Sequence, residues 1–269
     1  MSVISIAIQK GGSGKTTTAI NLAAALKQQG KSVLLIDADP QSNLSQSLGV
    51  LEETEKNLYT EIRKEIAGQS SNLGDIIIPT RSGLPLVPSS IDLAGTELEL
   101  VSVYGREKVF EAMLETQVPL YDYIFIDCPP AIGMLTVNAL AASDYVLMPM
   151  QAEFLPLKGL RSFMHHLKMV KIKLNHKLEI LGIVLTRFDP HKIMNREVYQ
   201  TLKQEFGEKV FYTRIRSNMQ LAKAQEAGLD IFSFDKQAHG AEDYNWLSEE
   251  FLLKLNHDGQ KTHIERHSP

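Results

Sequence analysis

Val3-Ile4-Ser5-Ile6-Ala7-Ile8-Gln9-Lys10-Gly11-Gly12-Ser13-Gly14-Lys15-Thr16-Thr17 decides the fold. Its first six residues are a short apolar run rich in β-branched side chains, the pattern of a buried strand. A glycine-rich loop follows, with Gly11, Gly12 and Gly14 around Ser13. Residues 16–29 then place Ile20, Leu22, Ala23 and Leu26 on one helical face, and Gly30 is set to end that helix at the left-handed C′ position. Residues 33–36 (VLLI) read as a second buried strand running into Asp37. Strand, loop, helix, strand is a βαβ unit. Its two strands are parallel because the crossover helix returns the chain to the same edge. The expected fold class is α/β, with a mostly parallel twisted sheet flanked by helices on both faces.

The loop also sets the chemistry. Glycines let backbone N–H groups converge on an anion with no Cβ in the way. The helix N-terminus adds about half a positive charge facing the same point. Lys15 is placed to reach the β- and γ-phosphates of a nucleotide, and the Thr16 hydroxyl to ligate Mg²⁺. Thr17, one residue on, is expected at the α-phosphate. This is a P-loop NTPase signature with one irregularity. The ordinary G-x-x-x-x-G-K-[ST] pattern wants glycine at position 9, where the chain has Gln9, and an additional lysine, Lys10, precedes the paired glycines.

Two further segments supply carboxylates. Leu34-Leu35-Ile36-Asp37-Ala38-Asp39-Pro40-Gln41 puts two acids at the carboxyl end of the second strand, where open α/β sheets bind ligands. Tyr123-Ile124-Phe125-Ile126-Asp127-Cys128-Pro129-Pro130 is an apolar strand ending in Asp127, expected to hold Mg²⁺ through water. Cys128 has no base near it by motif and reads as packing. Being the single cysteine, it excludes an internal disulfide and a cysteine metal cage.

Hydrophobic residues make up 43% of the 269 residues, enough for one large core, so residues 1–255 are expected to form one domain. Further strands are expected over residues 76–78, 84–87, 123–126, 145–148 and 180–185. The stretch 51–74 is polar and expected to be mobile, with one helix near 58–66. Residues 256–269 (NHDGQKTHIERHSP) are expected to be a flexible tail whose three histidines face solvent. No 18-residue stretch is both apolar and uncharged, and the N-terminus lacks the features of a signal peptide, so no membrane span and a cytoplasmic location are expected.

The net charge of −4 hides an asymmetry. Residues 158–223 carry 14 Lys/Arg against 5 Asp/Glu, leaving the remainder strongly acidic. A basic face on an acidic body suits a polyanionic partner.

The KGGSGKT loop resembles the deviant Walker A signature of the ParA/MinD ATPases, and the segment IDADPQSN (36–43) is similar to the ParA/Soj branch. So are Asp127-Cys128-Pro129-Pro130, residues 131–140 (AIGMLTVNAL), Met148-Pro149-Met150-Gln151-Ala152-Glu153, Gly159-Leu160, Gly182-Ile183-Val184-Leu185-Thr186-Arg187-Phe188-Asp189 and Gly240-Ala241-Glu242-Asp243-Tyr244. The match covers roughly residues 3–253. The resemblance implies ATP and Mg²⁺ as cofactors and a homodimer with ATP sandwiched between subunits. In that dimer Lys10 reaches the partner subunit's phosphates. It implies that Lys10, Lys15 and Asp39 carry catalysis, Asp39 by positioning the attacking water. Gly11, Gly12, Ser13, Gly14, Thr16, Thr17 and Asp37 would hold nucleotide. Thr16, Asp37 and Asp127 would surround the metal. Thr186, Arg187, Ile215 and Asn218 would contact the base.

It further implies nonspecific DNA binding in the ATP state and a ParB-like activator. Lys168, Lys171, Lys173, Lys192, Arg196, Arg214, Arg216 and Lys223 are the candidate DNA contacts; Arg214 and Arg216 would share a face if extended. The chain departs from many relatives at Ile215-Arg216-Ser217-Asn218 and at Pro190-His191. The alternatives are a ParA-like ATPase positioning a protein cargo and a membrane-associated MinD-like ATPase. The latter wants a basic amphipathic C-terminal helix, and the residues after 255 are short of apolar side chains. Because the first strand starts at once, no N-terminal operator-reading domain is expected.

Overall fold

The computed structural model describes residues 1–51, 54–153 and 157–265. Eight strands form one sheet among these residues: β1 (Ser2–Ile6), β2 (Val33–Asp37), β3 (Ile78–Pro79), β4 (Pro85–Val87), β5 (Tyr123–Asp127), β6 (Tyr145–Gln151), β7 (Glu179–Phe188) and β8 (Val210–Arg216). Their order is β3-β4-β2-β5-β1-β6-β7-β8, parallel throughout except for the β3–β4 pair. The helices are α1 (Lys15–Gln28), α2 (Asn43–Ser47), α3 (Leu58–Ile66), α4 (Leu93–Glu99), α5 (Val109–Leu114) and α6 (Met134–Ala141). They continue as α7 (Leu157–Lys173), α8 (Ile193–Phe206), α9 (Met219–Glu226), α10 (Ile231–Phe234) and α11 (His239–Glu265).

The two-residue alternation of the central strands builds two cores. On β2 and β5, Leu34, Ile36, Ile124 and Ile126 face one layer with α3 to α8. Val33, Leu35 and Phe125 face the other, with α1, α2, α9, α10 and α11. The α/β class with helices on both faces is thus what the chain adopts. The chain winds outward from β1 to β2 and the edge strand β3, turns back through β4 to β5, then crosses β1 to continue through β6, β7 and β8. The loop after β1 lies at this reversal, where a crevice opens at the strands' carboxyl ends.

Helix α3 spans the residues where a helix was expected, capped by Asn57 and Thr60 in a reciprocal box. Residues 52–53 of the stretch expected to be mobile lie outside the described residues. Instead of a strand over 76–78, Leu73–Ile76 form a 3₁₀ turn and Ile78–Pro79 alone pairs, antiparallel. Strand β8 was not anticipated. The polar run expected as a loose tail continues α11 to Glu265, and residues 266–269 lie outside the described residues.

Strand β7 carries an extra residue against β6, with Val146 opposite Ile180 and Leu147 opposite Gly182. A Cβ on Gly182 would fall on the Lys209 carbonyl oxygen and 2.7 Å from a Phe211 ring carbon. Backbone cannot yield as a side chain would, so Gly182→Ala is expected to cost about 1–3 kcal/mol of stability. Urea unfolding with an unchanged slope would measure it.

Candidate functional site

The sharp turn out of β1 depends on backbone that only glycine adopts readily. Gly12 and Gly14 sit at φ +69° and +92°, and α1 starts immediately after Gly14. Two carbonyls of the loop are held from outside it. Gln151 Nε2 donates to the Gly12 carbonyl, and Thr186 Oγ1 donates to the Ser13 carbonyl at 2.8 Å. Lys15 lies buried along the loop, its Nζ 3.4 Å from the Lys10 carbonyl. Lys10 remains at the rim, 31% exposed, with Nζ 3.7 Å from Glu153 of the same subunit.

Thr16 Oγ1 donates to Asp127 Oδ2 at 2.6 Å, bringing together the two residues expected at the metal. Asp127 Oδ1 is buried and has no hydrogen-bond partner. Burial, then the neighbouring Asp37 carboxylate, pushes the Asp127 carboxyl up to about 8. An orphaned carboxylate oxygen beside a hydroxyl is a donor set that fits a hard divalent cation, and bound Mg²⁺ would supply the charge that burial otherwise opposes. The Thr16 hydroxyl and the Asp127 carboxylate are the residues that would hold it.

Asp37, like its register partner Asp127, is buried and outside the cleft lining. Its Oδ2 accepts from Ser45 N–H (2.8 Å) and Ser45 Oγ (2.7 Å), and its Oδ1 from Asp39 N–H (3.2 Å). Burial raises its carboxyl to about 7 despite the Ser45 bonds. In this structure Asp37 shapes the loop that carries Asp39 and influences Asp127 through space from the adjacent strand. Asp39 does line the cleft, with Oδ1 accepting from Gln41 N–H at 2.9 Å. Cys128 is buried, its thiol pushed up to about 12 by desolvation, which makes it packing and no nucleophile.

The cleft has a volume of about 580 Å³, ample for a nucleotide. Gly11 to Thr17 form its floor, and Thr186, Arg187, Ile215 and Asn218, expected at the base, all line it. Arg187 adopts φ +49°, an uncommon backbone state for a side-chain-bearing residue and a frequent mark of functional loops. Asn218 Oδ1 is already engaged as the N-cap of α9, accepting from Gln220 N–H. The sequence reading missed Met219, Leu221, Gln225 and Tyr244 in the wall. It quoted Gln151 only as part of a resemblance.

The basic residues scatter. Lys168, Lys173, Lys192 and Lys223 are exposed and carry no ion pair among the described residues. Lys171 pairs with Glu179, and Arg196 donates to the Pro190 carbonyl. The Arg214 and Arg216 side chains do not end on one face but contact different layers. The Arg214 guanidinium stacks on Phe188 and Tyr199 toward α8. Arg216 turns to α11, where Asp243 and Glu242 neutralise it beside the cleft.

A glycine loop at the switch point of a parallel sheet, with Lys15 buried on it and Thr16 bonded to a strand-end aspartate, defines a P-loop nucleoside triphosphatase. The comparisons narrow the class. Residues 1–180 match the family model described as "AAA domain". The chain is 41% identical over 249 residues to the sporulation initiation inhibitor protein Soj of Bacillus subtilis, covering 92% of this chain and 97% of that one. Among solved structures it is similar to cobyrinic acid a,c-diamide synthase of Mycobacterium smegmatis with bound ADP and magnesium, at TM-score 0.80, 30% identity and 95% of each chain. It is likewise similar to a plasmid partition protein of Borrelia burgdorferi bound to AMPPNP, at TM-score 0.76 and 27% identity, covering 96% of this chain and 99% of that one. The chain belongs to the ParA/Soj-type P-loop ATPases. The Mycobacterium smegmatis protein is also solved with an ATP analogue and magnesium, and the phosphate loop, Thr16 and Asp127 described above fit such a pair. Among the described residues no helix is long and apolar enough to cross a membrane.

Proposed function

We propose that this ATPase is a cytoplasmic partition switch: ATP closes a homodimer, the dimer binds nucleoid DNA without sequence preference, and hydrolysis stimulated by a ParB-like partner releases it. The observation that carries this reading is Lys10. A second lysine stands at the rim of the phosphate cleft, outside the loop's own cradle, held by one long, exposed ion pair. Such a pair is worth only about 0–1 kcal/mol. A triphosphate presented by a second subunit offers Lys10 a far stronger partner, so the presence of the γ-phosphate would govern association.

The DNA step rests on the exposed lysines of α7 to α9, joined across two subunits. Their affinity would come from neutralising backbone phosphates. The experiment is solution mass and DNA binding with ATP and with ADP across a salt series. ATP alone is expected to give the dimer and DNA binding, with a log–log salt slope of about −4 or steeper for five or more phosphate contacts. A flat salt response, or equal binding with ADP, would refute the switch.

A further inference from the structure

Gln151 and Thr186 are register partners at the carboxyl ends of β6 and β7. Both side chains are buried, the residues 6% and 5% exposed. Each sends its donor to the phosphate loop, and the acceptors are consecutive: the Gly12 carbonyl for Gln151 and the Ser13 carbonyl for Thr186. A trans peptide is planar, with its N–H opposite its C=O. Holding the Gly12 carbonyl toward β6 therefore aims the Ser13 N–H the other way, toward the cleft. Holding the Ser13 carbonyl toward β7 does the same for the Gly14 N–H. These N–H groups belong to the concave anion site ahead of α1.

We propose that Gln151 and Thr186 are positioning residues for ATP binding, a cross-strand pair of donors that presets two peptide planes of the phosphate loop. The need for them is physical. Gly11, Gly12 and Gly14 allow the loop its shape but do not select it, since glycine backbone visits many others. A flipped Gly12–Ser13 plane would point a carbonyl oxygen at a phosphate in place of an N–H. Two fixed side-chain donors from rigid strands remove that alternative before the nucleotide arrives, which is preorganisation. Thr186 also packs on the loop, for a Cβ on Gly14 would meet its methyl at 3.3 Å. So Thr186, expected at the base, acts here on the phosphate side.

The test is titration of a fluorescent ADP with Mg²⁺, which requires neither dimer nor DNA and so stands apart from the partition reading. Thr186→Val keeps the shape and removes the donor; Gln151→Met does the same on β6. Each is expected to weaken ADP binding about three- to tenfold, the worth of one hydrogen bond. Thr186→Ser, which restores the hydroxyl, is expected to return within about twofold of the parent. The nucleotide-free melting temperature should shift by less than about 2 °C. Unchanged ADP affinity in Thr186→Val and Gln151→Met would overturn the proposal. So would a Thr186→Ser variant as weak as Thr186→Val, which would make the methyl packing, and not the donor, the cause.

Discussion

Lys10→Ala is expected to abolish ATP-dependent dimerisation while leaving the monomer able to bind nucleotide. The two halves of this result have separate structural grounds. Binding within one subunit rests on the loop amides, the helix start and Lys15, and Lys10 contributes to the loop through its backbone, whose N–H donates to the Ile8 carbonyl and whose carbonyl accepts from Lys15. Alanine keeps both backbone groups. Association, in the proposed dimer, rests on two symmetric ammonium–phosphate contacts, one from each Lys10. A hydrogen bond to a charged group contributes roughly 1.5–3 kcal/mol, so losing both weakens the dimer on the order of 10²- to 10⁴-fold. Light scattering with ATP under slow hydrolysis reads the mass directly. Glu153→Gln serves as the opposing control. It removes the carboxylate that holds Lys10 in its own subunit, at a pair 31% and 58% exposed, and is expected to leave dimerisation equal or slightly favoured. A Lys10→Ala protein that dimerises at the parent's concentration would remove the link between nucleotide state and association.

The legibility of this molecule follows from which interactions are local. The phosphate loop could be read because its strand, turn and helix are contiguous and each demands particular residue types. Asp127 was equally plain, since four apolar residues ending in an acid admit few other readings. Strand β8 was missed because Val210–Arg216 mixes Thr213, Arg214 and Arg216 into its run and pairs irregularly at the sheet edge. Its arginines find their partners far along the chain, Asp243 among them, and no spacing rule connects residues that distant. Gln151 illustrates the same limit inside the site. A glutamine at a strand end is unremarkable until the register sets it opposite Thr186 and both meet the loop. Asp37 and Asp39 look alike in sequence. Only the docking of Ser45 onto Asp37 separates the buried organiser from the acid that faces the cleft.

That separation makes the second large effect specific to Asp39. Asp39→Ala is expected to lower the rate of ATP hydrolysis by about 10²- to 10⁴-fold, the usual contribution of a positioned acid–base group. The loop should survive the change. Its backbone is fixed independently, with the Asp39 carbonyl accepting from Ser89 Oγ at 2.6 Å and the Asp39 N–H donating to Asp37. Nucleotide affinity should hold or rise, because the lost carboxylate is a negative charge facing a triphosphate. Slow hydrolysis with intact binding then has a consequence for the switch: the ATP-bound dimer persists, and DNA release stalls even with a stimulating partner present. Single-turnover phosphate release measures the first effect and solution mass over time the second. Hydrolysis within tenfold of the parent would take water positioning away from Asp39. Lost nucleotide binding would instead mean that this acid, like Asp37, serves the architecture of the loop.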